Sequence, residues 1–301
     1  MKIGRAFTVT DAALVSCSVA ETETLWSAAS TYALAAAVYV VIDGVHQRFV
    51  SAQPANHSNP PETDDGTWWT AEGPTNRWRQ FDQRVQMQTS AADQIITEVQ
   101  ISGRVDAVFA SNLSGQEMRV IATDATDGVV YDRTASLVST SRITDWARYF
   151  REPIRLLKDK LFDDLPSGYS DLLIETQVND PGETVLCGEL VYALLADIGG
   201  TQWGGGIGRK SYTRIEDDEF GSDQVVPRGS KRTGDYGVIV DNRDLDDVAN
   251  LLDGADGLAV LYVASSGYVA TVTFGLLLDW KVQLEWPTRT ALTLNIQSFV
   301  R

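Results

Sequence analysis

The most aromatic stretch of this chain, residues 68–82, reads WWTAEGPTNRWRQFD. Three of the chain's eight Trp fall here, beside a Gly-Pro pair and two Arg. Side chains of this size bury large areas, while their polar edges still need a partner. The run therefore predicts one of two things. Either it is a compact aromatic core that locks two segments together, or it is a binding face on which sugars stack.

The charge balance excludes several classes of partner. The chain has 41 acidic and 25 basic side chains, a net charge of −16, over 301 residues, which is long enough for two or three domains. Such a surface repels phosphate backbones and anionic lipids, so we expect no nucleic-acid partner and no membrane insertion. The apolar stretch 32–42 is too short to span a bilayer. The first residues contain no apolar run of the signal-peptide kind, so we expect synthesis in a cytoplasm.

No pattern in the sequence predicts catalysis. The two cysteines, Cys17 and Cys187, are far apart and predict buried, reduced thiols, with no metal spacing between them. The two histidines, His46 and His57, have no carboxylate or cysteine at a useful spacing, so no catalytic triad is indicated. The acidic run 216–219 is better explained as a solvated loop than as a cation site. We therefore expect no enzyme activity, no catalytic residues, no metal and no cofactor.

Alternating apolar and polar residues predict a mainly β fold. Short alternating runs separated by turn residues recur through 83–205, which favours a β-sandwich, with a turn expected at residues 179–182. The glycine-rich run 199–206 is typical of a linker. Asp244 is expected to cap one short helix that stops at Gly254, and three strands close the chain at residues 258–263, 269–285 and 291–299.

The first third of the chain is similar to a known small module. Trp26 and Tyr32 precede an alternating strand, an Asp-Gly turn at residues 43–44, a second strand, a Pro/Asn/Ser-rich loop and then Trp68. This order resembles the three-stranded carbohydrate-binding modules of families 5 and 12 that are attached to bacterial chitinases and cellulases. Ala35-Ala36 stands where those modules have Gly-Asp. The resemblance implies that glycans stack on Trp26, on Tyr32 and on Trp68 or Trp69, and we add Trp78 as a candidate. The alternative is that these aromatics only build the core of a small domain.

Two further segments resemble structural proteins of bacteriophage tails. The run GPTNRWRQFD at residues 73–82 is similar to a segment that, in those proteins, follows such a module and opens a jelly-roll domain of the galactose-binding type. Residues 273–288, TFGLLLDWKVQLEWPT, are similar to the strand and aromatic-Pro-Thr turn of their C-terminal domain. The resemblance implies a structural protein of the distal tail, tail tip or baseplate. Such a protein would be assembled in the host cytoplasm and carried in the virion.

These patterns together predict a multi-domain, mainly β protein in four parts. Residues 1–22 form an N-terminal strand arm that assembles with the C-terminal domain or with a neighbour, and residues 23–82 form the carbohydrate-binding-like module and junction. Residues 83–205 form the jelly-roll, and residues 206–301 form a β-rich assembly domain with one short helix. The expected partners are like subunits in a closed ring, other tail, hub or fibre proteins, and host cell-surface glycan. The alternatives are a glycan-binding adhesin and, less favoured, a polysaccharide-degrading enzyme with a binding module.

Overall fold

The computed structural model describes residues 1–217, 223–284 and 286–300, except for the side chain of Asp217. These residues are mainly β-stranded, as the alternating pattern predicts, with several sheets and two short α-helices. The first strands are β1 (Lys2–Ala6), β2 (Leu14–Cys17), β3 (Thr24–Leu25), β4 (Thr31–Tyr32), β5 (Ala37–Ile42), β6 (Val45–Ser51), β7 (Asn56–His57), β8 (Trp69–Pro74), β9 (Thr89–Gln100), β10 (Ala107–Ser111), β11 (Glu117–Asp124) and β12 (Gly128–Ser136).

The second half continues with strands and the two helices. The strands are β13 (Asp159–Phe162), β14 (Leu173–Cys187), β15 (Glu189–Asp197), β16 (Gly200–Thr201), β17 (Gly206–Ser211), β18 (Arg214–Asp217), β19 (Asp223–Val226), β20 (Ser230–Asp241), β21 (Val260–Val263), β22 (Val272–Gln283) and β23 (Arg289–Ser298). The helices are α1 (Trp146–Arg151) and α2 (Leu245–Asp253), and short 3-10 helices span Pro61–Thr63, Asn76–Phe81, Asn242–Asp244 and Val269–Thr271.

The middle of the chain is a β-sandwich. One sheet has five strands in the order β12-β11-β14-β9-β2, and its inner face shares a core with β10, β13 and β15 of a larger sheet. Strand β11 shows how the sequence produces this layer, because Met118, Val120 and Ala122 alternate with more exposed residues and are themselves fully buried. The sandwich core is therefore built from alternate residues of two facing sheets.

A ten-stranded sheet joins the middle of the chain to its C-terminal part. Its order is β13-β10-β15-β1-β21-β22-β23-β20-β16, with β17 also paired to β20. Strand β1 lies between β15 and β21, and β2 pairs with β9, so residues 1–22 pair with distant parts of the same chain. Arg232 on β20 reaches Asp159 on β13 at 3.2 Å, so the sheet curls back on itself. This sheet contains strands from both sides of the predicted domain boundary between residues 205 and 206.

Residues 23–74 form a small module on three antiparallel strands, β5, β6 and β8, with the two-residue β3 parallel to β5 at one edge. The Asp43-Gly44 hairpin turn forms between β5 and β6, and both residues have positive φ. The short pair β4–β7 closes the loop side of the module. The sheet of the module therefore has four strands, and β5, β6 and β8 are antiparallel neighbours within it.

The C-terminal part contains the helix that the spacing predicts. Helix α2 begins after Asp244, ends at Gly254, and buries Val248 and Leu252 against the large sheet. Asp244 makes no side-chain capping hydrogen bond, so only the position of the predicted cap is confirmed. The three closing strands are β21, β22 and β23; the predicted end of the middle one, Glu285, lies outside the described residues. Helix α1 ends before Pro153, where the sequence predicts a break.

Two predictions from turn residues are wrong. Residues 179–182 form no hairpin turn, since β14 runs through them and the pairing with β9 shifts register between Asn179 and Thr184. Gly182 there has positive φ, and its amide donates to Asp93 Oδ1 at 2.7 Å, so the glycine permits a bulge. The glycine-rich run 199–206 is not a free linker, because β16 within it pairs with β20. A Cβ at Gly199 would collide with the Ile239 carbonyl, so glycine is needed there for close packing of backbones.

Candidate functional site

The aromatic module has a small core centred on the tryptophan that starts β8. Trp69 is 2% exposed and packs with Val38, Val40 and Phe49. Its indole Nε1 donates to the Asn59 carbonyl oxygen at 2.8 Å. Both the ring and its polar edge are thus satisfied inside the protein. Trp69 has no free face for a sugar, and its prediction as a stacking residue is wrong.

The other three aromatics of the module, Trp26, Tyr32 and Trp68, are half-buried against this core. Tyr32 stands edge-on to Trp69 with ring centroids 5.2 Å apart. Its hydroxyl donates to the Ser27 carbonyl oxygen at 3.2 Å and accepts from the Ser27 amide at 2.7 Å. Each of the three rings therefore gives part of its surface to the core and keeps part of it accessible.

Trp78 lies in the core of the sandwich, not on a surface. It is fully buried, with its ring centroid 5.9 Å from that of Phe81 and 5.2 Å from the ring of His46. The reason is that its 3-10 helix turns the ring inward between the module and the sandwich. Trp78 cannot contact a glycan, and its prediction as a stacking residue is wrong.

The Thr-Asn-Arg-Trp run fastens the module to strand β9. Asn76 donates through Nδ2 to the Ser90 carbonyl oxygen at 2.9 Å and accepts from the Ser90 amide at 3.0 Å. The Gln80 amide donates to Thr89 Oγ1 at 3.0 Å, and Gln80 Nε2 donates to Thr97 Oγ1 at 3.2 Å. These hydrogen bonds join residues 76 and 80 to β9. The run therefore locks two segments of the chain together, and we call residues 76–80 the lock.

His46 joins the module to the N-terminal arm. Its Nδ1 lies 2.6 Å from Glu21 Oε2 and its Nε2 lies 3.2 Å from Asp11 Oδ1, while its ring stacks on Tyr39 at 4.5 Å. No carboxylate stands at a useful sequence spacing from this histidine, yet folding brings two carboxylates to it from 25 and 35 positions away. Both ring nitrogens are occupied by carboxylates and one ring face by Tyr39, so His46 serves as a joint between segments.

Two further acids are not singled out by any sequence pattern. Asp82 directly follows the 3-10 helix Asn76–Phe81, and Glu189 begins β15. Glu189 is 3% exposed and Asp82 is half-buried, and each has one buried oxygen with no hydrogen-bond partner among the described residues. Burial raises the pKa of Asp82 from its ordinary 3.8 to about 7, although the Arg84 amide donates to it at 2.7 Å. Burial also raises the pKa of Glu189 well above its usual range, and the charge of Asp82 adds to this.

The surroundings of this pair do not favour glycoside hydrolysis. The cavity beside Glu189, which Phe7 and Gln83 also line, has a volume of about 100 Å³. Glycosidases need two acids that flank a cleft wide enough for a sugar ring, and known ligand pockets are several times larger. Glu189 is a buried acid on β15 whose pKa is raised by burial and by the charge of the half-buried Asp82.

Exposed aromatic residues lie in the chain between β12 and β13, and we call residues 142–158 the basic aromatic segment. Trp146 and Phe150 are each 78% exposed and Ile154 is 81% exposed. Tyr149 lies between the two aromatic rings, with centroids 6.0 Å from Trp146 and 5.2 Å from Phe150. The sequence shows these aromatics, but only the structure shows that they pack on one another and not on a core.

A groove of about 1260 Å³ runs beside α2, and we call it the α2 groove. Its apolar lining includes Ile239, Val248 and Leu251. Its carboxylates are those of Asp197, Asp241, Asp244 and Asp247. Arg289, which also lines the groove, lies 3.5 Å from Asp241. The groove therefore combines an apolar lining with a mostly acidic rim.

Within the described residues, no group of three or more His, Cys, Asp or Glu is placed to hold a metal ion. Both cysteines are free, Cys187 buried and Cys17 half-buried, and burial raises the pKa of the Cys187 thiol. In the acidic run 216–219, Glu216 pairs with Arg214 at 2.9 Å, whereas Asp218 and Glu219 lie outside the described residues. No helix of the described chain is long and apolar enough to cross a membrane.

Comparison of the chain with protein-family models and with curated proteins gives no match. The class that the fold defines is a multi-sheet, mainly β protein.

Proposed function

We propose that this chain is a structural component of a bacteriophage tail, in the distal tail, the tail tip or the baseplate. The resemblance supports this through three segments in the order found in such proteins: the aromatic module, the run 73–82 and the strand and turn at 273–288. Its work is scaffolding, in which shape and edge contacts hold a particle together and no bond is made or broken. It is assembled in the host cytoplasm and carried in the virion.

The observation that carries the proposal is exposed apolar surface at several separate places. Beyond the basic aromatic segment, Trp203 is 94% exposed, and Trp286 is 51% exposed. The antiparallel strands β18 and β19 present Ile215 and Val225, which are 63% and 56% exposed. Aromatic side chains are enriched at protein interfaces, and the three exposed rings of the basic aromatic segment contact one another. Several separate apolar sites suit a subunit with several neighbours.

The neighbours we propose are like subunits and other tail, hub or fibre proteins. Like subunits that contact one another through two different surfaces form a closed ring when the rotation between them closes. The large sheet suits such a frame, because it connects both ends of the chain through β1 and β23. The aromatic module is fixed to this frame by the lock at residues 76–80.

The test is the assembly state of the purified full chain and its presence in particles. We expect light scattering coupled to size-exclusion chromatography to give a discrete ring-sized oligomer, and negative-stain electron microscopy to show closed rings. We also expect the protein in virions beside tail-tube subunits. A chain that stays monomeric at all concentrations and is missing from virions contradicts the proposal.

A second candidate function, glycan-binding receptor recognition, is favoured by the accessible parts of Trp26, Tyr32 and Trp68. A glycan array on the purified protein tests it, with Trp68→Ala as the variant and Trp203→Ala as a control for loss of an exposed indole elsewhere. Binding that Trp68→Ala abolishes and Trp203→Ala leaves intact supports the adhesin. Binding that survives Trp68→Ala removes the stacking proposal.

The least favoured candidate is a polysaccharide-degrading enzyme with a binding module. The small cavity beside Glu189 gives it no support. Turnover of bacterial polysaccharide by the purified chain, lost in Glu189→Gln, is the result that revives it.

A further inference from the structure

The basic aromatic segment differs in charge from the rest of the chain. It holds five basic side chains, those of Arg142, Arg148, Arg151, Arg155 and Lys158, against two acidic ones, within a chain of net charge −16. All five are exposed. A basic surface on so acidic a protein is drawn toward the acidic surface of another copy.

The cations of this segment are available for an external partner. Arg148 lies 3.7 Å from Asp145, which also caps α1 by accepting from the Arg148 amide at 2.9 Å. The other four cations have no ion pair among the described residues. Arg and aromatic side chains together are the residues that most often dominate binding at protein interfaces. The segment thus presents apolar anchors surrounded by uncompensated positive charge.

The opposite charge lies at α2. Residues 242–256, which contain α2, hold five Asp and one Arg. Asp247 lines the α2 groove, is exposed, and has no ion pair among the described residues. Leu251, 38% exposed, supplies apolar surface in the same groove. Arg243 is 80% exposed and lies 3.4 Å from Asp244, a surface pair worth little, so it does not cancel the acidic character.

We infer that the basic aromatic segment of one copy docks in the α2 groove of a neighbouring copy of this chain. The inference rests on the proposed function, since it names the contact between like subunits. The volume of about 1260 Å³ exceeds that of ordinary small-ligand pockets, so it accommodates several side chains such as Trp146 and Phe150. Arg151 and Arg155 then lie against the carboxylates of the rim. Because the segment and the groove are different surfaces, the contact is heterologous and propagates from copy to copy.

Charge reversal on each surface of the full-length chain tests the inference. The first variant is Arg151→Glu with Arg155→Glu, and the second is Asp244→Lys with Asp247→Lys. We expect each to weaken self-association at least about 30-fold, because reversing a buried interface charge pair costs several kcal/mol. Mixing the two variants juxtaposes opposite charges again and restores the oligomer. Arg104→Glu and Glu183→Lys, exposed charges elsewhere, serve as matched controls and leave the oligomer intact.

A third variant tests the docking without changing α2, where the charge substitutions could disturb folding. Trp146→Ala removes an exposed anchor without touching a core, so its melting temperature stays that of the wild type while self-association weakens at least about 10-fold. Raising the salt concentration from 50 to 500 mM also weakens the wild-type oligomer.

The outcomes separate the two proposals. Loss of the oligomer in the variants and its recovery on mixing support the docking. An oligomer that persists in both charge variants and in Trp146→Ala overturns the docking and leaves the ring intact. A wild-type chain that does not self-associate at any concentration overturns the ring contact and the docking with it.

Discussion

The half-buried acid Asp82 leads to a prediction about stability and pH that is opposite to the usual behaviour of a carboxylate. In the folded state its pKa is raised from 3.8 to about 7. Below about pH 4 the carboxyl is protonated in both the folded and the unfolded state, and it contributes nothing to the pH dependence. Between the two pKa values only the folded state keeps the proton, so the free energy of unfolding falls as the pH rises and the loss is complete above about pH 8.

The magnitude follows from the shift. A rise of about three pKa units corresponds to roughly 4 kcal/mol at about 1.36 kcal/mol for each unit. The interval from pH 5 to pH 8 covers about two thirds of this change, and solvent screens part of it because Asp82 is only half-buried, so we expect about 2 kcal/mol between these pH values. The raised pKa of Glu189 acts in the same direction.

The perturbation is Asp82→Asn, which cannot ionise but keeps a carbonyl oxygen to accept from the Arg84 amide. Urea titrations at pH 5 and pH 8 measure the free energy of unfolding. We expect the loss from pH 5 to pH 8 to be smaller in the variant than in the wild type by about 2 kcal/mol. Asp82→Asn also replaces the buried oxygen Oδ2, which has no partner among the described residues, and this changes the stability at both pH values. The readout is therefore the difference in the free energy of unfolding between pH 5 and pH 8.

Two comparisons make this prediction refutable. Asp256→Asn removes an exposed carboxylate, and its pH dependence is expected to match the wild type. Glu189→Gln is expected to reduce the loss as Asp82→Asn does. If neither Asp82→Asn nor Glu189→Gln changes the pH dependence, burial does not hold protons on this pair, and the reasoning is wrong.

Three further substitutions test the packing. Trp78→Ala empties a fully buried site and is expected to cost about 3–5 kcal/mol in urea unfolding, whereas Trp203→Ala, 94% exposed, changes it little. Gly275→Ala is expected to cost about 2 kcal/mol or more in the same assay, because the added Cβ collides with the backbone of β23. His46→Ala leaves a half-buried carboxylate unpaired and is expected to cost about 2–4 kcal/mol, read as faster proteolysis of the aromatic module, with exposed His57→Ala as the control. If the His46→Ala variant resists proteolysis as well as the wild type does, His46 does not hold the module to the N-terminal arm.

The local elements of this fold are encoded in short sequence patterns. The alternation of Met118, Val120 and Ala122 predicts β11, and the spacing of Val248 and Leu252 after Asp244 predicts α2. Such patterns are sufficient because the periodicity of a strand or helix depends only on residues a few positions apart.

The turn residues show where short sequence patterns do not predict the structure. Residues 179–182 have the composition of a hairpin turn, yet the partner strand β9 is already aligned with both sides of them, so they become a bulge. The glycines at 199–206 have the composition of a linker, yet the closeness of β20 makes glycine necessary there. In both cases the decision came from a strand far away in the sequence.

The candidate sites depended still more on tertiary structure. The sequence by itself determined the residue types: a dense group of aromatics, an acidic surface and a mainly β chain. Only the fold decided that Trp69 and Trp78 are buried and that Glu21 reaches His46. The fold also decided that Glu189 is buried and that the charge of Asp82 helps to raise its pKa. The physical reason is that burial and pKa depend on which distant segments exclude water from a side chain, and no local pattern contains that information.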